Sequence, residues 1–286
     1  MSARLRGIAK ETEEIVRTGS YRCPEGRRVV IGPALDAALA GTRMYGPDPV
    51  PVTPDADRPD TESGRQRSTV IEVTGESSLA AAARLTMAGP GAVAVLAFAS
   101  ARNPGGGYLN GAQAQEEALC RASALYATLL RAPGFYAHHR ADRDVFYTDR
   151  VIHSPGVPVF RDDRGRLLGT PFHVGFLTSP APNAGVIARN APGAVHRIPA
   201  VLAARAERVL ETAAACGYRR LVLGAWGCGV FGNDPARVAD AFRALLTGVG
   251  RFAGHFDEVV FAVLDRTAGA TTLGAFRLAF AGQLQP

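Results

Sequence analysis

Apolar residues recur at helical spacing over residues 2–18, with Leu5, Ile8, Ala9 and Ile15 on one side and Gly19 closing the run, which predicts a short amphipathic helix. Residues 21–31 then predict a hairpin around Pro24, Glu25 and Gly26, and 34–40 a second helix. The pattern breaks at 46–64, where five prolines and five acidic residues read as a linker or surface loop, so a domain boundary is expected near residue 65. From there strand-like runs at 69–73, 92–99, 150–153, 173–178, 221–224 and 258–264 alternate with helical stretches at 77–88, 113–130, 200–216 and 235–246. Such alternation predicts an α/β sheet covered by helices on both faces, preceded by an N-terminal helical extension over 1–65.

Composition supports this picture and narrows it. With 286 residues, 47% hydrophobic and 20% charged, the chain has material for a sizeable core, which argues against global disorder. The most apolar window, 79–100, is interrupted by Arg84, Gly89, Pro90 and Gly91, so no membrane span is predicted. The charged N-terminus lacks the apolar stretch of a secretory signal, and export is not expected. Four cysteines (Cys23, Cys120, Cys216, Cys228) without CxxC spacing indicate neither a zinc site nor a disulfide framework, and fit a reducing cytoplasm. A net charge of +6 favours encounter with polyanions but selects none, since arginine-rich solvated helices give the same balance.

The candidate chemistry lies in two glycine-rich stretches, each between a predicted strand and a predicted helix. In the first, Gly105, Gly106 and Gly107 are separated by seven residues from Gln115, Glu116 and Glu117. Consecutive glycines are costly in backbone entropy, so something is expected to approach the main chain closely. Two adjacent carboxylates repel, which favours keeping one proton. In the second, glycines at 224, 227, 229 and 232 follow the strand 221–224, a place where loop N–H groups backed by a helix N-terminus hold a diphosphate. Residues 227–232 also satisfy GxGxxG, but the acidic residues Asp257 and Glu258 fall at the start of the next strand rather than its end, against a Rossmann dinucleotide site.

Together with residues 98–101, 154–162 and 179–183, these stretches resemble the bacterial-type poly(ADP-ribose) glycohydrolases over roughly residues 66–265. The resemblance implies a three-layer α/β/α macrodomain-like fold with a mixed sheet and hydrolysis of the ribose–ribose bond of poly(ADP-ribose), mainly from chain ends, with no cofactor. It implies Glu117 as the acid and then base, Glu116 and Gln115 as hydroxyl-positioning groups, and Asn103 or Ser100 at the distal ribose. It also implies a diphosphate wrapped by 224–232, with Gly227, Gly229, Val230 and Gly232 lending main chain and Phe231 orienting the ribose. The expected partners are poly(ADP-ribose) or ADP-ribose and ADP-ribosylated proteins, with no specific nucleic acid and no membrane, for a cytoplasmic monomer. A reader of ADP-ribose, or a macrodomain that removes single ADP-ribose units, is the alternative; those proteins generally lack the Gln-Glu-Glu triplet.

Plainer readings stand beside each residue. Glu117 precedes Arg121 by four positions and suits an exposed ion pair worth about 0.3–0.5 kcal/mol. Glu76 sits where many macrodomains contact the adenine amino group, or is simply an acid at a helix start. Trp226 reads as a core aromatic, and Cys228 as a small residue fitting a turn rather than a reactive thiol. The six histidines show no metal-binding spacing, and no GxSxG elbow occurs.

Overall fold

The computed structural model describes residues 2–52 and 68–283. The linker predicted at 46–64 and the boundary near 65 lie largely outside the described residues. Before them come α1 (Ala3–Thr18), a two-stranded hairpin of β1 (Ser20–Arg22) and β2 (Arg28–Val30), α2 (Gly32–Gly41) and β3 (Arg43–Tyr45). Helix α1 forms as its spacing predicts: the Ser2 hydroxyl accepts from Leu5 N–H at its start, and Gly19 ends it at φ +65°.

Beyond the linker run β4 (Val70–Thr74), α3 (Ser78–Ala88), β5 (Val93–Phe98), α4 (Gln115–Ala122), α5 (Leu125–Leu129) and α6 (Pro133–Ala141). They are followed by β6 (Val151–Arg161), β7 (Leu167–Ser179), α7 (Ala184–Asn190), α8 (Ile198–Ala215), β8 (Arg220–Gly224), α9 (Pro235–Leu246), β9 (Glu258–Ala262) and α10 (Thr271–Phe280). Seven strands form one mixed sheet in the order β3-β6-β7-β5-β8-β9-β4. The pairs from β7 to β4 are parallel, and β3 and β6 add an antiparallel edge. The N-terminal segment therefore supplies a strand to the main sheet.

Side chains alternate across the central strands. Val93, Val95 and Ala97 of β5 face one core, together with residues of α1 to α6, while Ala94 and Leu96 face a second core built from α7 to α10. These two cores make the three layers. All parallel strands end at one edge, and the loops after β5, β7 and β8 leave it side by side.

Two sequence expectations are corrected here. The single helix predicted over 113–130 is broken after Ala122. Ser123 is extended, its hydroxyl donates to Leu119 O and accepts from Leu125 N–H, and Ala124 N–H turns to Pro158 O. The short strands predicted at 150–153 and 173–178 are parts of a long hairpin, because a bulge between Ser154 and Val157 carries Pro155 and Gly156 without ending the ladder.

Candidate active site

The carboxylate pair occupies the first turn of α4, where the helix N-terminus favours acids. Successive side chains diverge by about 100° on a helix, and Glu116 and Glu117 find different partners accordingly. Glu116 Oε2 accepts from Ser100 N–H at 2.7 Å, and Glu117 Oε1 from Gly107 N–H at 2.8 Å. Both are buried, 2% and 7% exposed, and Glu116 Oε1 and Glu117 Oε2 have no hydrogen-bond partner among the described residues. Burial drives the Glu116 carboxyl well above the usual carboxylate range; the Ser100 N–H opposes the shift and the neighbouring Glu117 adds to it.

The glycine run makes room for these carboxylates. Gly105 and Gly106 adopt φ +64° and +57°, and a Cβ on Gly106 would stand 2.5 Å from Glu117 Oε1 and 3.2 Å from Glu116 Oε2. The group that approaches the main chain here is the protein's own acid pair. Gln115, expected to position hydroxyls, is committed elsewhere. Its amide donates to Leu96 O (2.8 Å) and Ser78 Oγ (3.0 Å) and its oxygen accepts from Phe98 N–H (2.9 Å), which ties the start of α4 to β5 and α3. Arg121 does not form the predicted exposed pair: it is buried and donates to Ala112 O at 2.6 Å.

The second loop is open where the first is filled. Gly227 and Gly232 take φ +71° and +67°, and Gly227 lies so close to Asn233 that a Cβ would meet its Nδ2 at 2.6 Å. Gly229 faces open space and Val230 is 87% exposed. The N–H groups of Gly229, Val230 and Phe231 donate to no acceptor among the described residues, which leaves three consecutive donors in one turn, the kind of array that can bind an anion. The helix N-terminus expected to back this loop is already engaged, since Asp234 Oδ1 accepts from Ala236 N–H and Pro235 has no N–H to offer. The donors this region offers are therefore those of the loop itself.

The two loops follow neighbouring parallel strands, and the loop after β7 joins them: Ala99 N–H and Trp226 Nε1–H both donate to Ser179 O, and Gly185 N–H donates to Phe231 O. The microbial-type poly(ADP-ribose) glycohydrolase catalytic-domain model matches residues 9–162. The chain belongs to the microbial-type poly(ADP-ribose) glycohydrolase family. It is 50% identical to the Thermomonospora curvata poly(ADP-ribose) glycohydrolase, with a TM-score of 0.90 over 98% of this chain and 100% of that one. The same enzyme bound to the inhibitor ADP-HPD matches at 51% identity and a TM-score of 0.88, again over 98% and 100%. The Deinococcus radiodurans poly(ADP-ribose) glycohydrolase in complex with ADP-ribose matches at 46% identity and a TM-score of 0.77, over 87% and 98%. No curated protein sequence matches the chain.

Other residues of this glycohydrolase family member fall in varied places. Asn103 is exposed at the mouth of the first loop, its N–H donating to Ser100 Oγ. Glu76 accepts from Arg84 at 2.8 Å, and the adjoining Ser77 caps α3. Trp226 is a buried core residue against Phe242. Burial pushes the Cys228 thiol up to about 12, which favours the thiol over the thiolate. Tyr147 escapes the sequence reading. It takes φ +61°, uncommon for a non-glycine residue, and its ring lies 6.1 Å from that of Phe231. His139 meets Tyr147 edge-on, held by Phe135 O and Thr148, and burial lowers its pKa to about 4. The sequence signal was faint: an aromatic pair, Phe146 and Tyr147, in a charged stretch.

Proposed function

We propose that the chain hydrolyses the ribose–ribose O-glycosidic bond of poly(ADP-ribose), releasing ADP-ribose mainly from chain ends, with Glu117 as general acid and base. The observation that carries the residue roles is the pair of buried, unpartnered carboxylate oxygens beside a loop of three unpaired N–H groups. The carboxyl pair meets the hydroxyls and the leaving oxygen of a sugar, and the N–H set meets the oxygens of its diphosphate. Glu117 gives its proton to the leaving ribose oxygen, and the anomeric carbon develops oxocarbenium character. Water then adds to that carbon and returns a proton to the Glu117 carboxylate, restoring the acid.

Glu116, which favours its protonated form, donates through its free oxygen to a ribose hydroxyl. Phe231, flanked by Tyr147, holds the distal ribose over the pair, and the N–H groups of Gly229, Val230 and Phe231 take the diphosphate. Asn103 stands at the rim as a further ribose contact. The four free thiols suit a reducing cytoplasm, where the protein acts as a monomer on ADP-ribosylated proteins. Incubation of wild type and Glu117→Gln with an automodified polymerase is the test. Wild type releases free ADP-ribose, and the variant binds ADP-ribose with turnover lowered about 10³-fold. Equal release by both removes Glu117 from the mechanism, and binding without release by wild type makes the protein a reader.

A further inference from the structure

The aim of the acid on its substrate depends on the glycine loop, because the Gly107 N–H is the donor that fixes Glu117 Oε1. That loop does not hold itself in place. Its turn is closed by short-range bonds from Tyr108 N–H to Gly105 O, Asn110 N–H to Gly107 O and Ala112 N–H to Gly107 O. Under it lies Tyr108, fully buried, its ring 5.0 Å from that of Tyr126. The Tyr108 hydroxyl reaches out of the loop and into α1, 2.9 Å from Glu13 Oε1 and 3.2 Å from Ala9 O.

Helix α1 grips the same region at two more points. Ser2 N–H donates to Gly111 O at 3.2 Å, and Ser2 O lies so near that a Cβ on Gly111 would stand 2.5 Å from it. Thr12 Oγ1 donates to Arg121 O at 2.8 Å, at the far end of the catalytic helix, and Arg161 braces Thr12 from behind at 3.3 Å. Ala9, Thr12 and Glu13 share one face of α1, at i, i+3 and i+4. One rigid helix from outside the Gln-Glu-Glu segment thus touches the start of the loop, its end and the close of α4.

We infer that α1 is a positioning element of the active site, in which the Tyr108–Glu13 hydrogen bond sets the height of the glycine loop and so the direction of Glu117. The inference rests on the hydrolase reading and assigns Tyr108 and Glu13 roles that act through Gly107 rather than on substrate. Buried carboxylate geometry is unforgiving: displacement by about 1 Å is enough to cost on the order of a hundredfold in rate.

The test is steady-state kinetics on automodified polymerase, with ADP-ribose affinity and melting temperature measured alongside. Tyr108→Phe keeps the buried ring and removes only the hydroxyl, and Glu13→Ala removes the acceptor; each is expected to lower kcat about tenfold while KM and ADP-ribose affinity stay within about twofold. Glu13→Gln restores an acceptor oxygen and is expected to recover most of the lost kcat. Unchanged kcat in Tyr108→Phe and Glu13→Ala overturns the inference, as does a parallel loss of kcat and ADP-ribose affinity, which marks general destabilisation. A wild type that releases no ADP-ribose overturns the hydrolase reading itself, an outcome distinct from an active wild type matched by its variants.

Discussion

The loops after β5 and β8 are both rich in glycine and use it for opposite ends. In the first, glycine makes room inward: a Cβ on Gly106 collides with Glu117, and one on Gly105 would stand 2.9 Å from Tyr126. In the second, Gly229 has nothing within 4 Å and its neighbour Val230 projects into solvent. One loop is packed around the acid pair and the other is left open to solvent. Glycine content marks both as functional without telling which surface the function faces; only the neighbours decide that.

The sharpest break in the comparison comes from the acid itself. Glu117→Gln keeps shape and an acceptor for the Gly107 N–H but removes the transferable proton, and is expected to lower turnover by about 10³-fold, within the range general acid–base catalysis supplies. Titration with ADP-ribose should give an affinity near that of wild type. Retained turnover would show that the packed loop orients a bystander.

Gly106→Ala attacks the same loop from its backbone. A left-handed non-glycine residue costs about 1–2 kcal/mol, and the new methyl forces the Glu117 carboxylate to move, so turnover is expected to fall about a hundredfold. Gly229→Ala meets no neighbour and no positive φ, so its melting temperature stays at the wild-type value and KM rises a few-fold at most. Similar damage from both substitutions, read from kcat and melting temperature, would erase the distinction between the loops.

Within the open loop, two aromatic residues five positions apart carry a smaller contrast. Phe231 is half-buried against Tyr147, and Phe231→Ala is expected to lower turnover about tenfold through lost ribose orientation while leaving stability nearly intact. Trp226 is buried with its Nε1–H on Ser179 O, so Trp226→Ala should lose about 3–5 kcal/mol in a denaturant melt. Unfolding by Phe231→Ala would make that ring a core residue like its neighbour.

The sequence carried these positions unevenly, for reasons visible in the fold. Strand 221–224 is legible as a short apolar run ended by Gly224, and helix 235–246 as an amphipathic repeat opened by Pro235. The 113–130 region reads as one helix because its apolar spacing continues through a break that Ser123 makes with its hydroxyl and its bridge to Val159, neither of which has a hydrophobic signature. The acid pair announces itself by chemistry, but the service of Gln115 to the sheet does not, since a side chain's partners lie at positions 78, 96 and 98, distant in sequence. Helix α10 is missed because it opens at Ala270 without a capping side chain, although Leu273, Phe276 and Phe280 reach the second core at helical spacing. Tyr147 is invisible for a related reason: its strain and its neighbour Phe231 belong to tertiary structure.

The mildest effect expected concerns the other member of the pair. Glu116 is driven above the ordinary carboxylate value of 4.5 by burial, so in the folded state it holds its proton at a pH where the unfolded chain has already released one. The unfolded state then binds fewer protons than the native state, and stability falls as pH rises through the interval from 4.5 to the raised native value. Below 4.5 both states are protonated and Glu116 contributes nothing to the slope. Glu116→Gln removes the titrating group while keeping an oxygen for the Ser100 N–H, so its denaturant-derived stability should decline less steeply over that interval and exceed that of wild type at its alkaline end. Parallel curves for the two proteins would mean that the packed loop solvates the Glu116 anion as well as water does, and the contrast with the open loop would then be one of shape without any electrostatic part.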